Sequence, residues 1–187
     1  MGRIRFDTAT TIDGYIADEQ NSLAWLFAVP GSDDAERDIA TPDSAVDVMG
    51  STTYEWMLRE MDLLAHPEKW TEFFGAKTVY VFTSRELPTP DGADIRFLRG
   101  AVADALPTIR ETAGDGDVWV IGGGDLAGQF LDAGALDELA VSIAPVTLGA
   151  GAPLFPRRLE SDRLHLVEAT QFGQFVRAVY EVRAPSA

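Results

Sequence analysis

The chain has 187 residues, with 15 Lys and Arg against 30 Asp and Glu, so its formal net charge is −15 with both His neutral. Its 46% apolar content supplies a full single-domain core, and with no cysteine present it excludes disulfide scaffolds, thiolate zinc sites, iron–sulfur clusters and cysteine nucleophiles. The acidic excess repels polyphosphate chains, which argues against nucleic-acid or anionic-membrane partners, so an anionic ligand must be held by local donors. No stretch approaches the roughly 18 unbroken apolar residues of a membrane span, and the opening residues lack a signal-peptide apolar core. A soluble, cytoplasmic protein is expected, as one domain over residues 1–187.

Residues 3–9 alternate Ile4, Phe6 and Thr8 against Arg5 and Asp7, the period of a strand. Asp13-Gly14 reads as a turn, residues 15–17 as a short extended return, and residues 23–29 as an apolar segment closed by Pro30-Gly31. A short helix is predicted from Ser32, with Asp33, Asp34 and Glu36 in its first turn, where the helix dipole favours anions.

Next come three repetitions of one pattern, an apolar strand running into small or hydroxyl residues. Residues 45–49 lead into Gly50-Ser51-Thr52-Thr53 and a helix over 54–63, residues 77–82 into Thr83-Ser84, and residues 118–121 into Gly122-Gly123-Gly124. Between the last two lie a strand at 95–98 and a helix near 102–112 that Pro107 limits or kinks. Alternating strands and helices imply a largely parallel sheet. After a helix over 125–132 stopped by Gly134, the texture changes to strand candidates at 136–144, 164–172 and 175–182, with Gly173-Gln174 as a hairpin signal. The sheet is therefore expected to finish with antiparallel strands, after a Gly- and Pro-rich excursion over 145–162.

The strand ends carry the functional argument, because the carboxyl ends of parallel strands gather at one sheet edge. Backbone N–H groups freed at a helix N-terminus, beside Gly, Ser and Thr, form a cradle for phosphate oxygens. Gly50 to Thr53 and Gly122 to Asp125 would each supply one cradle, with Thr83, Ser84 and Arg85 adding hydroxyls and a guanidinium, a combination that suits a dinucleotide. Each Gly cluster taken alone reads equally as a tight turn. The match of Gly122-x-Gly124-x-x-Ala127 to the dinucleotide fingerprint lies two-thirds along the chain with its acidic residues too near, so it does not indicate a Rossmann fold.

Four motifs in order, Thr11-Ile12-Asp13-Gly14-Tyr15-Ile16-Ala17, Met49-Gly50-Ser51-Thr52-Thr53-Tyr54-Glu55, Val120-Ile121-Gly122-Gly123-Gly124 and the run from Ala144 to Phe155, resemble the dihydrofolate-reductase-like superfamily. Within it the chain is most similar to stand-alone proteins related to the reductase domain of the bifunctional riboflavin-pathway deaminase-reductase. The resemblance implies an α/β three-layer fold with a central mixed, mostly parallel sheet of about eight strands, antiparallel C-terminal strands, and NADPH across the strand ends. It also implies hydride transfer and a homodimer. Carried over by motif, Gly50, Ser51, Thr52 and Thr53 would meet the pyrophosphate and Thr83, Ser84 and Arg85 the adenosine end. Ile121, Gly122, Gly123, Gly124, Asp125 and Leu126 would meet the central phosphates and nicotinamide side, together with Ala17. Asp13, Tyr15 and Trp25 would lie beside the substrate.

Two departures from the family pattern bear on specificity. Many relatives place Arg or Lys after the Gly of the second motif, to pair with the 2′-phosphate; this chain has Ser51, which leaves NADH use open and makes Arg85 the substitute partner. Riboflavin-pathway reductases usually carry Lys after the Asp-Gly turn and Glu before the Gly cluster, where this chain has Tyr15 and Ile121, pointing to a flatter, less polar substrate. The resemblance places a proton-donating carboxyl on the helix before Gly50, with Asp33, Asp34 and Asp38 in range and Asp34 chosen by spacing; an acidic first turn complementing the dipole explains the same residues. His66 and His165 have no ligand spacing, so no metal is expected. The expected activity is NADPH-dependent reduction of a C=N or C=O bond in a small heterocyclic or carbonyl substrate, the alternatives being the riboflavin-pathway reductase itself or a non-catalytic NADP(H)-binding protein. Phe172 and Phe175, flanking the hairpin turn, would face either a dimer interface or the core.

Overall fold

The computed structural model describes residues 2–31 and 42–184. The helix predicted from Ser32, with Asp33, Asp34 and Asp38, lies outside the described residues. The strands are β1 (Ile4–Thr11), β2 (Tyr15–Ala17), β3 (Val46–Gly50), β4 (Thr78–Phe82), β5 (Ile95–Leu98), β6 (Val118–Gly122), β7 (Glu138–Ala144), β8 (Ala152–Pro153), β9 (Leu164–Phe172) and β10 (Phe175–Val182). The described helices are α1 (Ala24–Phe27), α2 (Ser51–Glu60), α3 (Glu68–Phe74), α4 (Val102–Ala113) and α5 (Gly124–Asp132).

Eight strands form one sheet in the order β5-β4-β3-β6-β1-β7-β10-β9, and β2 pairs with β8 in a separate two-stranded ribbon. From β5 to β7 every neighbouring pair is parallel, whereas β10 runs antiparallel to both β7 and β9. The α/β sheet with antiparallel C-terminal strands is thus as expected. Its central strands are covered on both faces, so β4 buries Val79, Tyr80 and Val81 in succession rather than alternating.

One face packs against α4 and α5: Ile4, Phe6, Val48, Val120 and Val141 meet Ile109, Ala127 and Phe130. The other face packs Met49, Val79 and Val81 against Tyr54 of α2 and Trp70 and Phe74 of α3, and Ala144 and Phe175 against Trp25 of α1. Each large apolar side chain removed from water contributes about 1.5–3 kcal/mol. Phe175 is 1% exposed and stacks on Phe172 at 5.6 Å, so this residue of the hairpin serves the core.

Three local outcomes differ from the sequence reading. Helix α4 runs through Pro107 to Ala113, because a buried stripe of Val102, Ala105, Ile109 and Ala113 anchors it on the sheet while Pro107 faces outward. Residues 50–53 are not a turn followed by a helix: α2 begins at Ser51, directly on the end of β3. Helix α3, unmarked in the sequence reading, starts behind Pro67 and buries Trp70 and Phe74 one turn apart. No helix of the described residues is long and apolar enough to cross a membrane.

Candidate active site

The three strand ends singled out in the sequence lie on adjacent parallel strands, β4, β3 and β6, and two of them lead straight into helices at the same edge. Gly50, the N-cap of α2, is extended at φ −83° and ψ 162°, and Gly123, the N-cap of α5, at φ −89° and ψ −177°. Neither supplies a side-chain cap. The first-turn N–H groups of both helices are therefore left for water or a ligand, with the positive ends of both dipoles alongside. The two termini are neighbours: a Cβ on Gly50 would stand 3.8 Å from the Gly122 carbonyl oxygen and 3.9 Å from the Gly123 nitrogen. The peptide between Gly122 and Gly123 is cis.

Both termini open into a cleft of about 1250 Å³ lined by Gly50 to Thr53, Ile121 to Leu126, Ile16 and Ala17. Most of the other walls are apolar, including Phe27, Trp56, Met57, Met61, Phe73 and Phe175. Phe27 and Trp56, both in the lining, stack with ring centroids 6.5 Å apart and planes 9° from parallel. Among the described lining residues there is no Lys, Arg or His, while Asp7 and Asp125 both contribute.

Close packing fixes the third side of the cradle. A Cβ on Gly124 would fall 2.1 Å from the Leu154 carbonyl oxygen and 2.5 Å from that of Pro153, so only glycine allows the β8 segment to lie against the start of α5. Asp125, in the first turn of α5, accepts from Gln129 at 3.0 Å and from Arg157 at 3.0 Å, and these bonds, Gln129 foremost, hold its carboxyl below the usual range.

Asp13, Tyr15 and Trp25 lie outside the lining of the cleft. Asp13 is a tie between loops: it accepts from the Thr11 hydroxyl at 2.6 Å and from the Leu148 and Gly149 amides at 3.0 and 2.7 Å, which lower its pKa. The Tyr15 hydroxyl donates to the Gly149 carbonyl at 3.4 Å, and Trp25 packs behind the wall against Val29, Ala144 and Phe175. Thr83, Ser84 and Arg85 also lie outside the lining, in the loop after β4, although Phe82 just before them belongs to it. The Thr83 hydroxyl accepts from the Arg85 amide at 3.0 Å, and the Arg85 guanidinium forks onto both carboxylate oxygens of Glu55, the first at 2.9 Å. Asp34 lies outside the described residues.

The sequence reading missed an ion pair beside the cleft, of which Asp7 belongs to the lining and Arg177 does not. Asp7, 6% exposed, receives Arg177 across the width of β7, with one guanidinium nitrogen on each carboxylate oxygen at 2.9 and 2.5 Å. Arg177 also donates to the Ser142 hydroxyl at 3.3 Å, and the Asp7 carbonyl accepts from the Trp119 indole at 3.0 Å. The Asp7 carboxylate, ahead of the opposing cost of burial, raises the Arg177 pKa. An Asp alternating with Ile4 and Phe6 reads as the solvent side of a strand; only its pairing with a residue 170 positions away shows otherwise.

Comparison with known proteins gives a consistent picture. The family described as the RibD C-terminal domain matches residues 3–177. Two uncharacterized proteins of Bacillus subtilis are similar along nearly their whole length. YwjB is 31% identical over 94% of this chain and 95% of its own, and YyaP is 29% identical over 93% and 91%. Among solved structures, a putative riboflavin biosynthesis protein of Shewanella sp. PV-4 superposes with TM-score 0.72 at 23% identity, covering 98% of this chain and all of the other. The deaminase/5-amino-6-(5-phosphoribosylamino)uracil reductase of Thermotoga maritima gives 0.66 at 17% identity over 97% of this chain and 57% of that one. Dihydrofolate reductase of Enterococcus faecalis, complexed with NADP(H), gives 0.62 at 15% over 97% of each. These structural likenesses establish the dihydrofolate-reductase-like fold.

Proposed function

The chain belongs to the RibD C-terminal domain family, and from that premise we propose that it is an NADPH-dependent reductase of a C=N or C=O bond in a small heterocyclic or carbonyl substrate. The observation that carries this reading is the pair of uncapped helix N-termini, at Gly50 and Gly123, side by side in one cleft. Two converging sets of N–H groups suit a diphosphate, and the Cβ-free N-caps Gly50 and Gly123, with no neighbour closer than 3.8 Å to where a Cβ would stand, suit close approach of the coenzyme backbone. When bound, NADPH supplies the hydride.

The chain's own contribution is to bind and orient. Gly50 to Thr53 and Gly122 to Leu126 hold the diphosphate, Ile16 and Ala17 bound the nicotinamide side, and Arg85 takes the 2′-phosphate once released from Glu55. The apolar walls around Trp56, Met57 and Phe175 exclude water from the reacting bond, so fixing two reactants there replaces much of the entropy of their encounter. The proton enters from a side chain or an ordered water, with Asp34 the side chain favoured by spacing.

The lining argues against the phosphorylated intermediate of the riboflavin pathway, since away from the two helix N-termini a phosphate ester brought beside Asp7 would meet a carboxylate and no cation among the described lining residues. The test is NADPH oxidation followed by absorbance with that intermediate and with a panel of neutral imines, pterins and carbonyl compounds. Turnover with a neutral member supports the reading. Turnover with the phosphorylated intermediate alone makes the protein a riboflavin-pathway reductase, and coenzyme binding without turnover by any member makes it a binding protein.

A further inference from the structure

Asp125 is the second residue of α5, inside the turn whose freed N–H groups the coenzyme reading gives to the diphosphate. A carboxylate at that position is a competitor for any anionic ligand, because it satisfies the same helix dipole and can accept from the same amides. Here it is turned elsewhere. Both of its hydrogen bonds among the described residues are to side chains, Oδ2 accepting from Gln129 at 3.0 Å and Oδ1 from Arg157 at 3.0 Å.

Arg157 reaches α5 from the loop after β8 and lies along one of its faces. Asp125, Gly128 and Asp132, spaced three and four residues apart, make up that face. Arg157 Nε donates to Asp132 at 2.8 Å while Nη1 donates to Asp125, so the guanidinium spans the helix from its last turn to its first. A Cβ on Gly128 would stand 2.8 Å from Arg157 Cγ and 2.9 Å from its Cζ. Glycine is a poor helix former, and its place in the buried middle of α5 is explained by the side chain laid across it. The loop itself is pinned by Phe155, whose ring lies 6.3 Å from that of Phe6 in the core, and Nη1 donates again to the Pro156 carbonyl at 2.9 Å. Asp125, Gln129 and Pro156 line the cleft, whereas Arg157 does not.

We propose that Arg157 is a positioning residue for the coenzyme: laid across Gly128, it holds the Asp125 carboxylate back from the first turn of α5 and offsets its charge, which leaves the freed N–H groups open to a phosphate. The identity of that phosphate as the coenzyme's rests on the reductase reading. Without Arg157 the carboxylate, tethered by Gln129 alone, folds onto the amides of its own turn and fills the cradle from within.

The test is NADPH titration of the wild-type chain, Arg157→Gln, Asp125→Ala and the double variant, each at low and high salt. Arg157→Gln is expected to weaken NADPH about three- to tenfold at low salt. That deficit is expected to shrink in about 0.5 M salt, where the repulsion is screened. Adding Asp125→Ala to Arg157→Gln is expected to recover most of the loss, because the competitor is gone, and Asp125→Ala alone to bind at least as tightly as wild type. Gly128→Ala displaces the guanidinium without removing a charge, and is expected to weaken NADPH in the same sense and to be rescued by the same Asp125→Ala. Should Arg157→Gln fail to fold, the Gly128→Ala pair makes the same comparison.

A plain structural brace would lower the melting temperature and give a loss of affinity that persists in the double variant. An Arg157→Gln protein with wild-type affinity, or a loss that Asp125→Ala does not recover, overturns the proposal and leaves the coenzyme reading standing. A wild type that binds neither NADPH nor NADH overturns the coenzyme reading and this role with it.

Discussion

The guanidinium of Arg85 is spread across both carboxylate oxygens of Glu55, a residue in the second turn of α2, the helix whose N-terminus faces the cleft. The pair ties the loop after β4 to that helix and raises the Arg85 pKa, through the hydrogen bonds from Glu55 first and its charge second. If Arg85 is the partner of the 2′-phosphate, Glu55 competes with the coenzyme for it. Glu55→Gln is therefore expected to tighten NADPH several-fold and leave NADH unchanged, and Arg85→Ala to erase the difference between the two. Equilibrium titration of both coenzymes checks this; equal ratios in all three proteins would remove Arg85 from the site.

Two glycines of the cradle make opposite predictions. A Cβ on Gly124 has no room against Leu154 and Pro153, so Gly124→Ala must push the β8 segment away, at about 1–3 kcal/mol of stability. At Gly50 the nearest atoms are 3.8 and 3.9 Å away, ordinary contacts, and its φ of −83° is open to alanine. Gly50→Ala is expected to keep the wild-type melting temperature and lose coenzyme affinity, because the added methyl stands in front of the N–H groups. Thermal denaturation with NADPH titration on both variants separates the effects, and a Gly50→Ala protein that binds as tightly as wild type contradicts the placement of the diphosphate.

Asp13 makes acid stability measurable at one residue. Bonds from Thr11, then Gly149 and Leu148, hold its carboxyl below the ordinary 3.8. A depressed folded-state pKa means the stabilisation is present above the unfolded value and disappears as pH falls through the folded one. The melting temperature of Asp13→Asn should lie below wild type at neutral pH, and the two should converge as pH drops below 3.8. A constant gap down to about pH 3 would show that the loop tie does not depend on the charge.

The sequence carried the parts of this architecture that local chemistry dictates. The bounds of β5, β9 and β10 match the expected strands residue for residue, because alternation and a turn glycine at Gly173, with φ of +51°, fix them locally. Strands running into glycine and hydroxyl residues marked, for the same reason, the two helix N-termini at Gly50 and Gly123 that share the cleft, while Thr83 to Arg85 lie outside its lining. Helix α3 was not legible, since seven residues give little more than one apolar repeat and its formation rests on burying Trp70 and Phe74 under α2. Asp13 and Tyr15 are motif residues whose side chains turn toward residues 148–149, a contact no local pattern encodes. Asp7 was hidden for the converse reason: its partner arrives on β10, at the far end of the chain.

The most direct measurement is equilibrium binding of NADPH to the wild-type protein, read by intrinsic fluorescence, for which Trp56 and Trp119 in the cleft wall are built-in reporters. The account predicts saturable binding of one NADPH per chain, with quenching diminished in a Trp56→Phe variant. No saturable binding of either NADPH or NADH would contradict a coenzyme site between the ends of β3 and β6.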